Sequence, residues 1–334
     1  AQVIVGTPGR VMDLIRRKNL DLSGLKALVL DEADRLLSPT FAPALAYLFS
    51  VLPPAHLRQT LLFTATLTPE IERLTQKTPE PGKLPPLLRK IEMDTSTPAS
   101  LTQLYTLVPS HRREPYLVHL LHHPPCQKVE VRTDLSDVYR THKPKLPREE
   151  APAFPLSIIF VARCKSAELL SRMLTELGVP NVSLHSMLPQ STRLHNLHMF
   201  RARRVPILIS TDVGSRGLDV PDVELVVNWD VPAAWEDYVH RVGRTARKGR
   251  PGWAVSFVTE HDVELVQTIE DKIHKTLTEW DMPESQVLER LSHVSAAKRV
   301  ASMALHDEKF GEQRERNKRK AQASQPRSKK HHVQ

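Results

Sequence analysis

Leu25 to Leu30 reads LKALVL and runs directly into Asp31-Glu32-Ala33-Asp34. An apolar run without the in-and-out alternation of a half-solvated strand marks a strand covered on both faces, and such strands belong to parallel sheets flanked by helices. The pattern recurs along the chain. Val3-Ile4-Val5 ends in Gly6-Thr7-Pro8-Gly9, after which Val11, Leu14 and Ile15 continue at helical period. Phe41 to Leu52 is helical in pattern, and Thr60 to Phe63 is another apolar strand, stopping at Thr64-Ala65-Thr66 before a helix near Pro69. Further strands are expected at Leu101 to Val108, Ser157 to Val161, Val182 to Leu184, Ile207 to Ser210, Leu225 to Asn228 and Ala254 to Val258, with helical stretches between most of them. Strands alternating with helices predict the α/β class with parallel sheets.

At 334 residues, two domains are expected, each large enough to bury its own core. Between Lys77 and Ser100 periodicity disappears and prolines interrupt the chain, so 1–76 is assigned to a first lobe, 77–100 to a linker and 101–280 to a second lobe. The segment 124–155, with six prolines and many charges, reads as a surface insertion without order of its own. Amphipathic helices are expected at 262–277 and 285–305, the latter within a helical extension over 281–310. The net charge is +9, but the tail 311–334 holds eight Lys/Arg against two Glu and supplies +6 of it. The remaining 310 residues are therefore not globally basic, and a nucleic-acid surface on them has to be local. The tail should not fold alone, and suits RNA phosphates, a nuclear address or a plain solvated terminus. No apolar run approaches the roughly 18 residues of a membrane span, and no secretory signal is visible. Two cysteines, Cys126 and Cys164, are too few for a disulfide framework or a paired-cysteine zinc site, which fits a reducing compartment. The sixteen histidines lack metal-ligand neighbours at useful spacing.

In an open parallel sheet, ligands bind outside the carboxyl ends of the strands, which places Asp31 and Glu32 first among candidates. A carboxylate after a buried strand can hold Mg²⁺ beside nucleotide phosphates while a neighbouring acid positions water. A helix starting at Asp31, with acids favouring its positive end, is the plain alternative. His240-Arg241-Val242-Gly243-Arg244-Thr245-Ala246-Arg247 places Arg244 and Arg247 at the spacing of one helical turn, so both guanidiniums are expected on one face, where they could meet charge on a transferred phosphate. Ser210 to Asp219 (STDVGSRGLD) again follows an apolar strand and offers hydroxyls and backbone amides. Thr7, Gly9 and Arg10 form a turn that opens a helix, a natural anion site, although a plain turn explains it equally. Trp229, Trp235 and Tyr238 read as core rather than as base-stacking rings.

TPGR at 7–10, DEAD at 31–34, TAT at 64–66, STDVGSRGLD at 210–219 and HRVGRTAR at 240–247 resemble, in order and spacing, the DEAD-box ATP-dependent RNA helicases. The resemblance covers residues 1 to about 280, and the end of the second lobe is most similar to the fungal nucleolar helicases of small-ribosomal-subunit assembly. It implies two RecA-like lobes in tandem, closing around ATP and RNA. It implies Mg²⁺ and water coordination at Asp31 and Glu32, with Glu32 as general base, and Asp34 linked to Thr64 and Thr66. Arg244 and Arg247 would be fingers on the γ-phosphate, His240 would help couple the lobes, Asp219 would hold the ATP ribose and Gly217 would let the backbone approach the nucleotide. RNA would run over Thr7, Gly9, Arg10, Gln190, Arg193, Thr211 and Asp212. The implied setting is the nucleus and nucleolus, with ATP and Mg²⁺ as cofactors and a monomeric enzyme acting on pre-ribosomal RNA among pre-ribosomal proteins. Thr64 departs from the usual Ser, Gly214 from the usual Ala, and Ala162-Arg163 from a polar pair. No G-x-x-x-x-G-K-[S/T] phosphate cradle occurs in the sequence, and the family's adenine-reading segment should precede TPGR, so a fragment with an incomplete first lobe is expected. Two further readings remain open at this level: a non-catalytic RNA-binding module, and a DNA translocase of the wider superfamily.

Overall fold

A computed structural model describes residues 2–37, 39, 41–64, 67–76, 85–89, 97–98, 100–125, 154–212, 221–247, 249–308 and 310. The chain divides into two compact units, Ala1–Glu92 and Met93–Gln334. Most of the expected linker, residues 126–153 of the expected insertion and the tail 311–334 lie outside the described residues.

In the first unit α1 (Pro8–Arg16), β1 (Ala27–Leu30), α2 (Ala33–Leu36), α3 (Ala42–Val51), β2 (Gln59–Leu62) and α4 (Pro69–Gln76) follow in order. Strands β1 and β2 pair in parallel, with Ala27 opposite Gln59 and Leu30 opposite Leu62. Pro8 opens α1, where its fixed φ and missing N–H cost nothing. Leu45, Leu48 and Leu52 collect Val11, Ile15, Leu22 and Leu25 into one small core, while Leu30, Ala33 and Ile71 form a second. Two expectations fail here. Val3 to Val5 form no strand and are exposed, because neither strand of the described sheet pairs with them. The LKALVL run is not covered on both faces: only Leu30 is buried and Val29 is 55% exposed, since a two-stranded sheet has too few neighbours to close both sides.

The second unit is a parallel sheet in the order β5-β6-β4-β7-β8-β3-β9. Its strands are β3 (Leu101–Leu107), β4 (Ser157–Phe160), β5 (Asn181–Leu184), β6 (Ile207–Ser210), β7 (Leu225–Asn228), β8 (Gly252–Val258) and the two-residue β9 (Thr278–Glu279). The runs Ser157–Phe160, Ile207–Ser210 and Leu225–Asn228 are buried at every position, as continuous apolar strands covered on both faces must be. Helices α5 (Arg113–His122), α6 (Cys164–Glu176), α10 (Glu284–Leu288) and α11 (Leu291–Asp307) pack on one face. On the other lie α7 (Gln190–Arg201), α8 (Trp235–Val242) and α9 (Val263–Ile273). The chain reverses direction across the sheet between β6 and β7, on either side of β4, which makes the carboxyl ends of β4 and β7 the topological switch point.

The helix expected over 285–305 is two helices, broken at residues 289–290. This extension is not an appendage: Met282, Val287, Val294, Ala297 and Ala301 belong to the same core as Ile159 and Ile209. Withdrawing each Val from water contributes roughly 1.5–3 kcal/mol, so the second unit is incomplete without residues through 305. The expected insertion also ends earlier than assigned, because Phe154 is buried in that core and stacks edge-on with His122. Trp229 and Tyr238 are core residues, and the Tyr238 hydroxyl donates to Gln103 Oε1 at 2.9 Å.

Candidate functional site

In the first unit the acidic segment sits at the carboxyl end of β1. Asp31 is exposed, and its Oδ1 accepts the Glu32 N–H at 2.9 Å. Glu32 caps α2 in the left-handed region, at φ 51° and ψ 49°. A non-glycine residue held there carries strain of order 1–3 kcal/mol, of the kind that surrounding structure must impose. The imposing contacts are visible: Phe63 N–H donates to Leu30 O at 2.8 Å and Ala33 N–H donates to Phe63 O at 2.9 Å. The chain leaving β1 is thereby stapled to the chain leaving β2, bringing Asp31, Glu32 and Asp34 to the end of the unit where Thr64 lies. Asp34 Oδ1 accepts the Arg35 N–H at 2.8 Å, and Arg35 approaches Glu32 Oε2 at 3.8 Å. Thr66 lies outside the described residues. The plain alternative is half right, because a helix does begin here, but it begins at Ala33 and spans four residues.

Thr7, Gly9 and Arg10 are exposed around the first turn of α1, with Thr7 O accepting Val11 N–H at 3.0 Å. Arg10 pairs with Asp13 at 2.8 Å. A Cβ placed on Gly9 would meet nothing within 4 Å, so the fold does not require glycine there and its backbone is open to an approaching ligand.

In the second unit the switch point is organised by a residue the sequence reading passed over, Arg241 of α8. It is buried, with 3% of its surface exposed. Its Nε and Nη2 each donate to Asp212 at 2.7 Å, its Nη1 donates to Asp230 O at 2.7 Å and Asn228 Oδ1 at 3.3 Å, and its plane lies over Phe160. One guanidinium thus ties the chain ends leaving β6, β7 and β4. Asp230 extends the network, with Oδ2 accepting Ala162 N–H at 2.8 Å and Oδ1 paired to Arg113 at 3.1 Å. Asp212, expected on the RNA path, has both carboxylate oxygens engaged by Arg241. Thr211 beside it is buried, and its N–H donates to Leu184 O. Gln190 and Arg193 stand at the start of α7, joined at 3.0 Å. Gly217 and Asp219, like Gly214, lie outside the described residues.

Arg244 and Arg247 do not share a helical face. Helix α8 ends at Val242, and Ala246 turns the chain at φ 57°. The turn also lies at the opposite end of the strands from the contacts of Arg241. Thr245 Oγ1 donates to Val223 O at 2.6 Å, Val223 N–H donates to Arg244 O at 3.1 Å and Ser100 Oγ donates to Ala246 O at 3.4 Å, all at the amino ends of β7 and β3. Gly252, first residue of β8, accommodates this turn: a Cβ there would stand 2.3 Å from Thr245 Oγ1 and 2.4 Å from Ala246 N. The exposed Arg247 donates to Gly243 O and approaches Asp222 at 3.4 Å, while Arg244 and His240 are half-buried. The rule of carboxyl strand ends therefore holds for Asp31 and for Asp212, and not for the arginine pair. The signal for Arg241 was present in the sequence: it stands three residues after Tyr238 and next to Val242, on the apolar stripe of its helix, where a cation has to be met by a buried acid.

Parallel sheets flanked by helices, an acid pair at a strand's carboxyl end and an arginine turn after α8 define a tandem α/β protein of the helicase type. The DEAD/DEAH box helicase profile matches residues 1–74, and the helicase conserved C-terminal domain profile matches residues 150–249. The chain is 54% identical to the ATP-dependent RNA helicase DBP8 of Mycosarcoma maydis, over 95% of this chain and 65% of that protein. It is 45% identical to dbp8 of Schizosaccharomyces pombe, covering 66% of it, and 43% identical to DBP8 of Saccharomyces cerevisiae, covering 69%. The chain thus spans about two thirds of the length of these relatives. Among solved structures, S. cerevisiae Dbp5 bound to RNA and ADP BeF3 superposes with a TM-score of 0.66 at 29% identity, over 90% of this chain and 70% of that one. The RecA-like folds of such proteins are those seen here, and the chain belongs to the DEAD-box helicase family.

Proposed function

We propose that this chain carries the carboxylate and arginine machinery of an RNA-stimulated ATPase that separates short RNA duplexes. The observation that supports it most is Glu32, a glutamate held in a strained left-handed conformation beside an exposed aspartate, at the carboxyl end of a parallel strand. Strain of this kind persists where geometry matters more than stability. Hard, oxygen-only donors at Asp31 and Glu32 suit Mg²⁺ held largely through water. Bound Mg-ATP would supply the reactive phosphate. Glu32 would take a proton from the attacking water, Asp31 would orient the metal's water shell, and Asp34 would work with Thr64 and Thr66. Arg244 and Arg247 would meet developing charge, His240 would help couple the lobes, Asp219 would hold the ribose and Gly217 would let the backbone approach. Thr7, Gly9, Arg10, Gln190, Arg193 and Thr211 would contact RNA phosphate and 2′-hydroxyl groups, which select RNA without reading sequence. Asp212 would serve that surface indirectly, as the anchor of Arg241. ATP and RNA would each favour the same state, so each promotes the other's binding by linkage.

The resemblance of the end of the second lobe to nucleolar helicases, with the eight Lys/Arg of the tail, favours action on pre-ribosomal RNA in the nucleolus, a localisation that a fluorescent fusion would report. The deciding experiment is ATP turnover by the full-length protein, with and without single-stranded RNA. Turnover stimulated by RNA and lost in Glu32→Gln is expected. Stimulation by DNA alone, or unchanged turnover in Glu32→Gln, overturns the proposal.

A further inference from the structure

A cleft of about 300 Å³ lies between the start of α5 and the face of α11. Its floor is apolar, made by Pro115, Leu291 and Val294, and its rim carries Arg112, Lys298 and Arg299. Lys298 is neutralised by Glu114 at 2.6 Å, and Arg112 approaches the exposed Glu284 at 3.7 Å. Among the described residues no carboxylate pairs with Arg299. The rim is therefore positive on balance, and the positive end of the ten-residue α5 opens onto it. Apolar floor and cationic rim together match an amphipathic chain with apolar side chains below and carboxylates at the edge. A phosphate backbone fits less well, because the floor is apolar and Glu114 stands among the lining residues, with His111 the one aromatic ring in the lining.

We propose that this cleft docks an acidic, amphipathic segment of a protein partner. The site is also placed to act on the switch point. Arg112 lines the cleft, and the next residue, Arg113, pairs with Asp230 at 3.1 Å and lies over the Trp229 ring at 4.3 Å. Asp230 in turn accepts the Ala162 N–H at the end of β4. A segment that draws Arg112 toward its own carboxylates shifts the first turn of α5, and Arg113 with it, changing how firmly Asp230 holds the ends of β4 and β7.

The test is fluorescence polarisation of a fluorescein-labelled Glu-Glu-Leu repeat peptide against the whole chain, with a Lys-Lys-Leu repeat as control. The acidic peptide should bind, and more weakly as salt rises. Arg299→Glu and Ser302→Glu, both at exposed positions on the wall of the cleft, should each weaken binding about tenfold with no change in thermal midpoint or in affinity for oligouridylate. Equal binding of the acidic peptide by the wild type and by both variants overturns the proposal. So does displacement of the peptide by oligouridylate together with loss of oligouridylate binding in Arg299→Glu, which would make the cleft an RNA site.

Discussion

Replacing Arg241 by Ala removes the cation from a site where five of its contacts are fixed: two to Asp212 at 2.7 Å, one each to Asp230 O and Asn228, and the face of Phe160. Breaking a buried ion pair from one side costs about 3–5 kcal/mol, chiefly because the partner charge is left uncompensated. Asp212 keeps 22% of its side-chain surface in water, so the lower end of that range applies, about 3 kcal/mol. Against a native stability of roughly 5–15 kcal/mol that is a large fraction, and it should lower the thermal midpoint by about 6–12 °C for a unit of this size. The stranded carboxylate gives the argument its sharp form. Asp212→Asn in the Arg241→Ala background removes the unpaired charge and should recover at least ~1 kcal/mol, whereas a cost due to lost packing over Phe160 would stay whole. Arg241→Lys, which keeps charge without the fork, should fall between. Urea unfolding of the four proteins, followed by a probe in the second unit, reads all of these. An Arg241→Ala cost within ~0.5 kcal/mol of zero, the range of ordinary surface changes, would refute the reasoning. So would a double variant less stable than the single.

Arg247→Ala in the full-length protein should cut ATP turnover by about a thousandfold while leaving RNA affinity nearly unchanged, measured by steady-state hydrolysis and filter binding. Gly252→Ala should destabilise the second unit by roughly 1–3 kcal/mol, because its Cβ would stand 2.4 Å from the Ala246 backbone nitrogen and the 244–247 turn would have to move; turnover should fall with it. Glu308 clasps Arg172 with both oxygens, at 2.9 and 2.6 Å, and the Arg172 hydrogen bonds hold its carboxyl below the ordinary 4.5. A depressed folded value means that this contribution is full above about pH 4.5 and fades as pH falls through the lower value, so proteolysis within α11 should quicken below pH 4.5 in the wild type and show less of that dependence in Glu308→Gln.

The strands of the second unit were legible because a run such as Ile207–Ser210 has one stable environment, the middle of a parallel sheet, and the chain supplies neighbours on both sides of it. The same reasoning misjudged LKALVL, where the apolar run is as strong but only one neighbour is described, leaving Val29 exposed. Burial is thus a property of the sheet, and a run shows only what the sheet could use. The site divides in the same way. The placement of Asp31 and Glu32 was legible because they directly follow the strand that carries them, at its carboxyl end. HRVGRTAR holds three arginines that composition cannot tell apart, and the structure separates them by where α8 stops. Arg241, on the last turn of the helix, reaches back toward the carboxyl ends of the strands and is consumed by Asp212, twenty-nine residues earlier. Arg244 and Arg247, past the helix end at Val242, are carried to the amino edge, where the glycine at 252 makes room for their turn. Two residues beyond a helix terminus decide at which end of the strands an arginine stands, and the chain past that terminus is turned by Ala246 in the left-handed region and received by Gly252 at the start of β8. None of these is a property of the motif itself, which is why the placement of its arginines was left to the fold.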